Sequence, residues 1–296
     1  MDVPISNWPG YEYFFLAEDK AMAERHGLKL STTQFPDPQD IVHAYLGGNL
    51  MIAQLTTVEL VDICGRKPER CPVVVLILDE SRGSDILAAR RELDSMSALK
   101  GRTIGVTFSS LGPFMVSRAL QISGLSLDQV QIKNMPLAEM PAALAEGRVD
   151  AVAFFPPFSD YAARDGYSRV LFDSRQLPGE IFDVLVVDPD YLKENRSAVV
   201  KLLKTWQDAH LYARANPQEA IAVMAQREKL TPEEFRRAEQ GLGYFQLQDQ
   251  EALLAPGGVL ARNLKLVQEV QQQLKLLSPD AQLPQVTNQL VQEALR

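Results

Sequence analysis

The feature that most constrains this chain is a strand, turn and helix unit that occurs twice. Thr103–Leu125, TIGVTFSSLGPFMVSRALQISGL, runs from a short apolar β segment through a small polar turn into a helix that stops at Gly124. Ser109, Ser110 and Gly112 follow the strand's carboxyl end, and Pro113 sits at a first-turn position where no amide is lost. Small residues before a helix start let a ligand approach the backbone, and the helix dipole there favours an acceptor-rich or negatively charged group. The plainer reading is an ordinary N-cap, the commonest use of a serine before a helix. The second unit is a strand over Leu50–Leu55 followed by Thr56 and Thr57, which open a helix through Ile63. If the two turns face one another across a cleft, they hold the acceptor end of a ligand between them.

Repeated strand–helix units imply parallel sheets covered by helices on both faces. In order, the sequence predicts a helix over 11–26, a strand around Leu28, Leu30 and Thr32, and a helix over Asp40–Leu46 before the Leu50 strand. Cys71–Leu78 reads as a buried strand, and the turn-rich DESRGSD as a crossing into Ile86–Ala89. From Thr103 the pattern restarts, with strands over Val130–Asn134 and Val149–Phe155 and a helix over Ala138–Glu146 between them. Phe182–Val187 is a return crossing, after which the chain is almost wholly helical: Arg196–Ala215, Pro217–Glu228, Pro232–Gln240, Ala261–Leu277 and Val286–Arg296. Leu203, Trp206, His210 and Tyr212 on the first of these helices read as core. The expectation is two α/β lobes.

No apolar run approaches the ~20 residues that cross a bilayer, so a soluble protein is expected. The net charge of -8 comes without a basic stripe, which argues against nucleic acid or an anionic membrane surface as partner. MDVPISNWPG lacks a basic start followed by an apolar core, so no secretion signal is read in this numbering, and the first Met can stand in for a removed leader. Cys64 and Cys71 are the only cysteines. Their spacing fits neither a redox pair nor a four-ligand zinc site. They read as a disulfide in an oxidising compartment or as two thiols in a cytosolic one, and their closeness and even number favour the bridge. No metal and no cofactor is expected. His26, His43 and His210 are scattered over separate helices, and no catalytic motif is present, so the chain does not read as an enzyme.

NWPGYEYFFLAED, the Gly47-Gly48 turn with AQLTT, LDESRGSD, ALKGRTIGVTFSSLG and GRVDAVAFFPPF stand in this order from about residue 4 to residue 275. In that order and spacing the sequence resembles the substrate-binding proteins of bacterial ABC importers of the nitrate, sulfonate, taurine and thiamine-precursor type. The resemblance implies a type II periplasmic binding fold, two lobes with parallel-rich mixed sheets joined by a two-strand hinge and a helical C-terminal part. Lobe 1 would comprise 1–80 with 185–296, and lobe 2 would comprise 81–184. It also implies a periplasmic or extracytoplasmic monomer that delivers a small molecule to a membrane permease.

Carried over residue by residue, the family's pocket takes Trp8 and Tyr11 from the first loop, Thr56 and Thr57 from the first helix start, and Ser81 and Asp85 from the crossing. From the second lobe it takes Ser109, Ser110, Phe155 and Phe158. Ligands of open α/β sheets bind beyond the carboxyl ends of strands, where these segments lie. Glu80 and Asp183 flank the crossings and read equally as hinge or as ligand groups. Sulfonate and nitrate binders are expected to bring a positive charge into the cleft, whereas here only Arg82 is available, beside Glu80 and Asp85. A simple inorganic anion is therefore disfavoured, and a neutral, zwitterionic or aromatic nitrogen-containing ligand fits better. The thiamine-precursor branch has an enzymatic cousin with a cysteine-rich iron-binding stretch, which two cysteines cannot supply. The competing readings are a receptor's extracytoplasmic sensing domain and, on the same fold, an enzyme acting on a thiamine or menaquinone precursor.

Overall fold

The computed structural model describes residues 1–108, 110–164 and 166–296. β1 (Asp2–Ile5) is followed by α1 (Glu12–Asp19) and by β2 (Ser31–Gln34), which pairs with β1 in parallel. The helix expected to reach residue 26 stops at Asp19. Ala21 adopts left-handed backbone, φ 51°, and a tight turn over Met22–His26 ends at Gly27, φ 64°. α2 (Pro38–Leu46) is capped by the Asp37 side chain, which accepts from the Gln39 amide at 2.9 Å. β3 (Ile52–Thr56) enters α3 (Thr57–Arg66) directly, and β4 (Val73–Ser81), VVVLILDES, is buried at all 9 positions. Such a strand needs cover on both faces.

The chain then passes into a second sheet. β5 (Ile86–Arg90), β6 (Thr103–Val106), α4 (Gly112–Ile122), β7 (Gln131–Asn134), α5 (Met140–Ala145), β8 (Ala151–Phe154), α6 (Phe158–Arg164) and β9 (Ser168–Asp173) follow in sequence. The strand order is β7-β6-β8-β5-β9. Pairing is parallel where strand and helix alternate, β6 with β7 and β8, and antiparallel where β5 meets β8 and β9. β9 is not legible in the hydrophobic pattern: it is an edge strand with Val170 exposed, so burial does not impose alternation on it.

β10 (Phe182–Val187) returns to the first sheet and lies antiparallel between β3 and β4. After it come α7 (Pro189–Ala215), α8 (Pro217–Glu228), α9 (Pro232–Gln240), β11 (Leu242–Tyr244), α10 (Gln250–Leu253), α11 (Val259–Gln273), β12 (Gln285–Val286) and α12 (Gln289–Ala294). β11 and β12 both pair with β4. The terminal helix therefore begins later than hydrophobic periodicity indicates, because Gln285 and Val286 are held by the sheet edge. Leu203 and Trp206 are fully buried in the core. His210 stacks on Tyr13 with ring centroids 3.6 Å apart, and burial pulls its imidazole down to about 3, so it is a neutral core ring. Tyr212 is half-buried.

Two crossings join the sheets, one between β4 and β5 and one between β9 and β10. They are tied together by Glu80, which accepts from the Gly179 amide at 2.7 Å and pairs with Arg82 at 2.7 Å. Arg118 of α4 grips Glu180 with two bonds of 2.6 and 2.7 Å. Asn263 of α11 donates to the carbonyls of Gly179 and Glu180. Glu80 thus belongs to the hinge.

Cys64 and Cys71 are joined in a disulfide that links the end of α3 to the segment before β4. The closed loop is short, so the bridge should contribute about 2 kcal/mol, the low end of the usual range. Reduction should lower the melting temperature. Intact-mass measurement on unreduced, alkylated protein made in an oxidising compartment should find no labelled thiol, and two labelled thiols would refute the bridge.

Candidate functional site

The cleft between the sheets is built from strand ends. Trp8 and Tyr11 follow β1, Thr56 ends β3, Asp183 opens β10, and Asp85 lies on the crossing after β4. Ser110 and Leu111 precede α4, and Phe155 follows β8. Together with Glu59 of α3 these groups enclose two adjoining cavities of about 20 and 10 Å³, each roughly the room one water needs. The lobes are in contact. Ser110 Oγ donates to Glu59 Oε1 at 2.9 Å, Gln39 Nε2 donates to the Phe108 carbonyl, and Trp8 meets Phe155 edge to face at 5.6 Å.

Of the residues expected at the site, Trp8, Tyr11, Thr56, Asp85, Ser110 and Phe155 line these cavities. Ser109 lies outside the described residues. Three others sit behind the lining. Thr57 is fully buried in the first turn of α3. Ser81 shares a hydrogen bond with Ser174 at 2.8 Å and accepts from the Asp85 amide. Phe158 packs edge-on against Phe155 and Tyr161.

The polar groups are already engaged in ways the sequence alone did not reveal. Trp8 Nε1 donates to Asp79 at 3.2 Å, and Gly10 makes this possible, since a Cβ there would lie 1.8 Å from Asp79 Oδ2. Tyr11 donates its hydroxyl to Asp183. At the start of α3 two amides expected to face an acceptor, those of Thr56 and Glu59, are already taken. Thr56 and Glu59 form a capping box in which Glu59 accepts from the Thr56 amide at 2.9 Å and Thr56 Oγ1 accepts from the Glu59 amide at 3.2 Å. Ser110 does not cap α4 through its side chain. Glu59 is the residue sequence reading missed, and the T-T-V-E spacing was the signal that could have found it.

The result is an acidic cleft. Glu59, Asp85 and Asp183 line it, and no Lys, Arg or His does so among the described residues. Burial pushes the Glu59 carboxyl up to about 7, against the opposing effect of its bonds from Thr56 and Ser110. Burial likewise raises Asp85 to about 7. Asp79 and Asp183 stand opposite one another on β4 and β10. Burial raises both, and the charge of Asp79 raises Asp183 further. Among the described residues no group of three or more His, Cys, Asp or Glu is arranged to hold a metal ion.

Comparison with known proteins bears on the family and on the fold. Residues 8–220 match the family model described as NMT1/THI5 like. The chain belongs to the NMT1/THI5-like family. It is 24% identical over 224 residues to a putative binding protein of Brucella abortus (strain 2308), covering 75% of this chain and 69% of that protein. It is 27% identical over 203 residues to the taurine-binding periplasmic protein of Escherichia coli (strain K12), covering 67% of this chain and 62% of that one. The crystal structure of the periplasmic aliphatic sulphonate binding protein of Escherichia coli superposes with a TM-score of 0.76 at 17% identity, covering 95% of this chain and 94% of the other. At that identity the likeness concerns the fold, which is that of periplasmic binding proteins. Among the described residues no helix is long and apolar enough to cross a membrane.

The buried acids fix the sign of a pH effect. With folded-state values raised above the usual carboxylate range, the native protein holds these protons more tightly than the unfolded chain does. Their contribution to stability is then fully present below about pH 4 and is lost as pH rises through about 7. Glu59→Gln and Asp85→Asn should each gain stability relative to the parent as pH increases over that interval. Thermal melts of parent and variants across the range check this, and a constant difference would reject it.

Proposed function

We propose that the protein is the solute-binding component of an ABC importer, which captures a small organic nitrogen- or sulfur-containing molecule between its lobes and presents it to a membrane permease. The observation that carries this reading is the cleft itself, lined from both lobes by aromatic, hydroxyl and carboxyl groups and closed by Ser110–Glu59 and Trp8–Phe155. Family membership and the printed names of its relatives support it over a receptor's sensing domain. The same names, of binding proteins, support it over an enzyme. The proposed moving units are those expected, 1–80 with 185–296 and 81–184, except that Phe182–Val184 go with the first because β10 is paired along its length in the first sheet; the whole is proposed as a periplasmic or extracytoplasmic monomer. A ligand closes such a pair only through its better affinity for the closed state.

Ser110→Ala removes one bond between the lobes. It should weaken ligand binding by about 1–2 kcal/mol while leaving the melting temperature of the free protein nearly unchanged. Phe155→Ala should weaken binding through lost apolar cover with little effect on folding, since Phe155 is only partly buried. The test begins with mass spectrometry of small molecules released from freshly purified protein. Calorimetric titration and solution scattering follow with the molecule found. A smaller radius of gyration on binding supports the reading, and chemical turnover of that molecule would replace it with the enzymatic one.

A further inference from the structure

Resting on the binding-protein reading above, we propose that the ligand is a small organic cation bearing N–H donors, such as an amidinium, held between Asp85 of the second lobe and Glu59 of the first. The first support is the charge of the lining. Three carboxyl groups reach the two cavities and no cationic side chain does among the described residues. The arginine that might have met an anion, Arg82, is bound by Glu80 through two bonds of 2.7 and 2.9 Å and lines a separate hollow with Arg175 and Arg237.

The second support is independent of that count. Asp85 is 3% exposed, it lines both cavities, and its Oδ2 has no hydrogen-bond partner among the described residues. A buried carboxylate oxygen without a donor is an exception that calls for a partner, and the open space beside it is the cleft. Across that space Glu59 already takes one donor on each oxygen, from Thr56 and Ser110, and each oxygen retains a second acceptor position. Trp8 and Phe155 supply aromatic cover, which suits a flat cation.

A sulfonate could enter only if the carboxyls were protonated and acted as donors. The two alternatives therefore differ in the sign of their pH dependence. The groups concerned are Glu59 on α3, Asp37 before α2 and near Glu59, Asp79 and Glu80 on β4, Asp85 on the crossing, Asp183 on β10 and Tyr11 after β1. A cation needs Asp85 and Glu59 ionised, so it displaces protons and binds more tightly from about pH 5 to about pH 8. An anion gathers protons and weakens over the same interval.

The experiment is a thermal-shift screen followed by calorimetric titration, with benzamidine and acetamidine set against taurine and ethanesulfonate. At least one cation is expected to stabilise the protein, with affinity that rises with pH and falls about 10- to 100-fold in Asp85→Asn. Glu59→Gln serves as the second variant should Asp85→Asn fail to fold. Binding of a sulfonate but of no cation would overturn the assignment of ligand class and leave the binding-protein reading standing. Binding of a cation with undiminished affinity in both variants would overturn the assignment of these two residues. Failure of every compound would overturn the cation class, and release of no small molecule from the native protein would count separately against the binding-protein reading.

Discussion

Everything around the cleft depends on the antiparallel pairing of β4 with β10. Its register sets Asp183 opposite Asp79 and Phe182 opposite Glu80. Side chains alternate along a strand, so the adjacent acids Asp79 and Glu80 serve opposite sides, one beneath Trp8 and the other against Gly179 and Arg82. Burying carboxyls at the end of an apolar sheet is unfavourable unless each finds a donor, a proton or a cation. The VVVLIL stretch of β4 anchors the strand that carries them, each such side chain contributing about 1.5–3 kcal/mol on burial. The hydrophobic core thereby holds a polar strand end where isolated chemistry would not keep it.

Period and turn chemistry made much of the fold legible. The strand, turn and helix at Thr103 and its counterpart at Leu50 fold as the spacing predicts, and Pro217–Glu228, Pro232–Gln240 and Phe182–Val187 have the boundaries expected of them. Elements held by distant partners were not legible. β11 and β12 exist because β4 pairs with them, and the break at Ala21 rests on a left-handed residue that is not glycine. At the site, residue types pointed to segments that line the two cavities but not to what each group touches. Trp8 and Tyr11 were read as ligand groups, yet their donors are engaged by Asp79 and Asp183, residues far away in sequence. The bond from Ser110 to Glu59 likewise joins positions 51 apart in the chain.

The family relation and the charge of the cleft bear on different levels of the molecule. A family model spanning residues 8–220 and a shared fold establish how the strands and helices are arranged. In the proposed reading selectivity resides in the few side chains at the strand ends, where one substitution changes the sign of a local charge without disturbing a sheet. Relatives named for taurine or sulfonate binding are therefore compatible with a cleft whose lining is acidic.

Asp85 adds a mechanical consequence, because it lies on one of the two crossings about which the lobes would turn in the proposed closure. Atoms near a rotation axis travel little, whereas those at the rim sweep a long arc. A ligand that first met Asp85 and the nearby Asp183 would touch groups whose positions barely change during such a closure. Ser110 and Phe155, carried on the far lobe, arrive later. Recognition by this cleft would then proceed outward from the pivot, with charge read first and shape second.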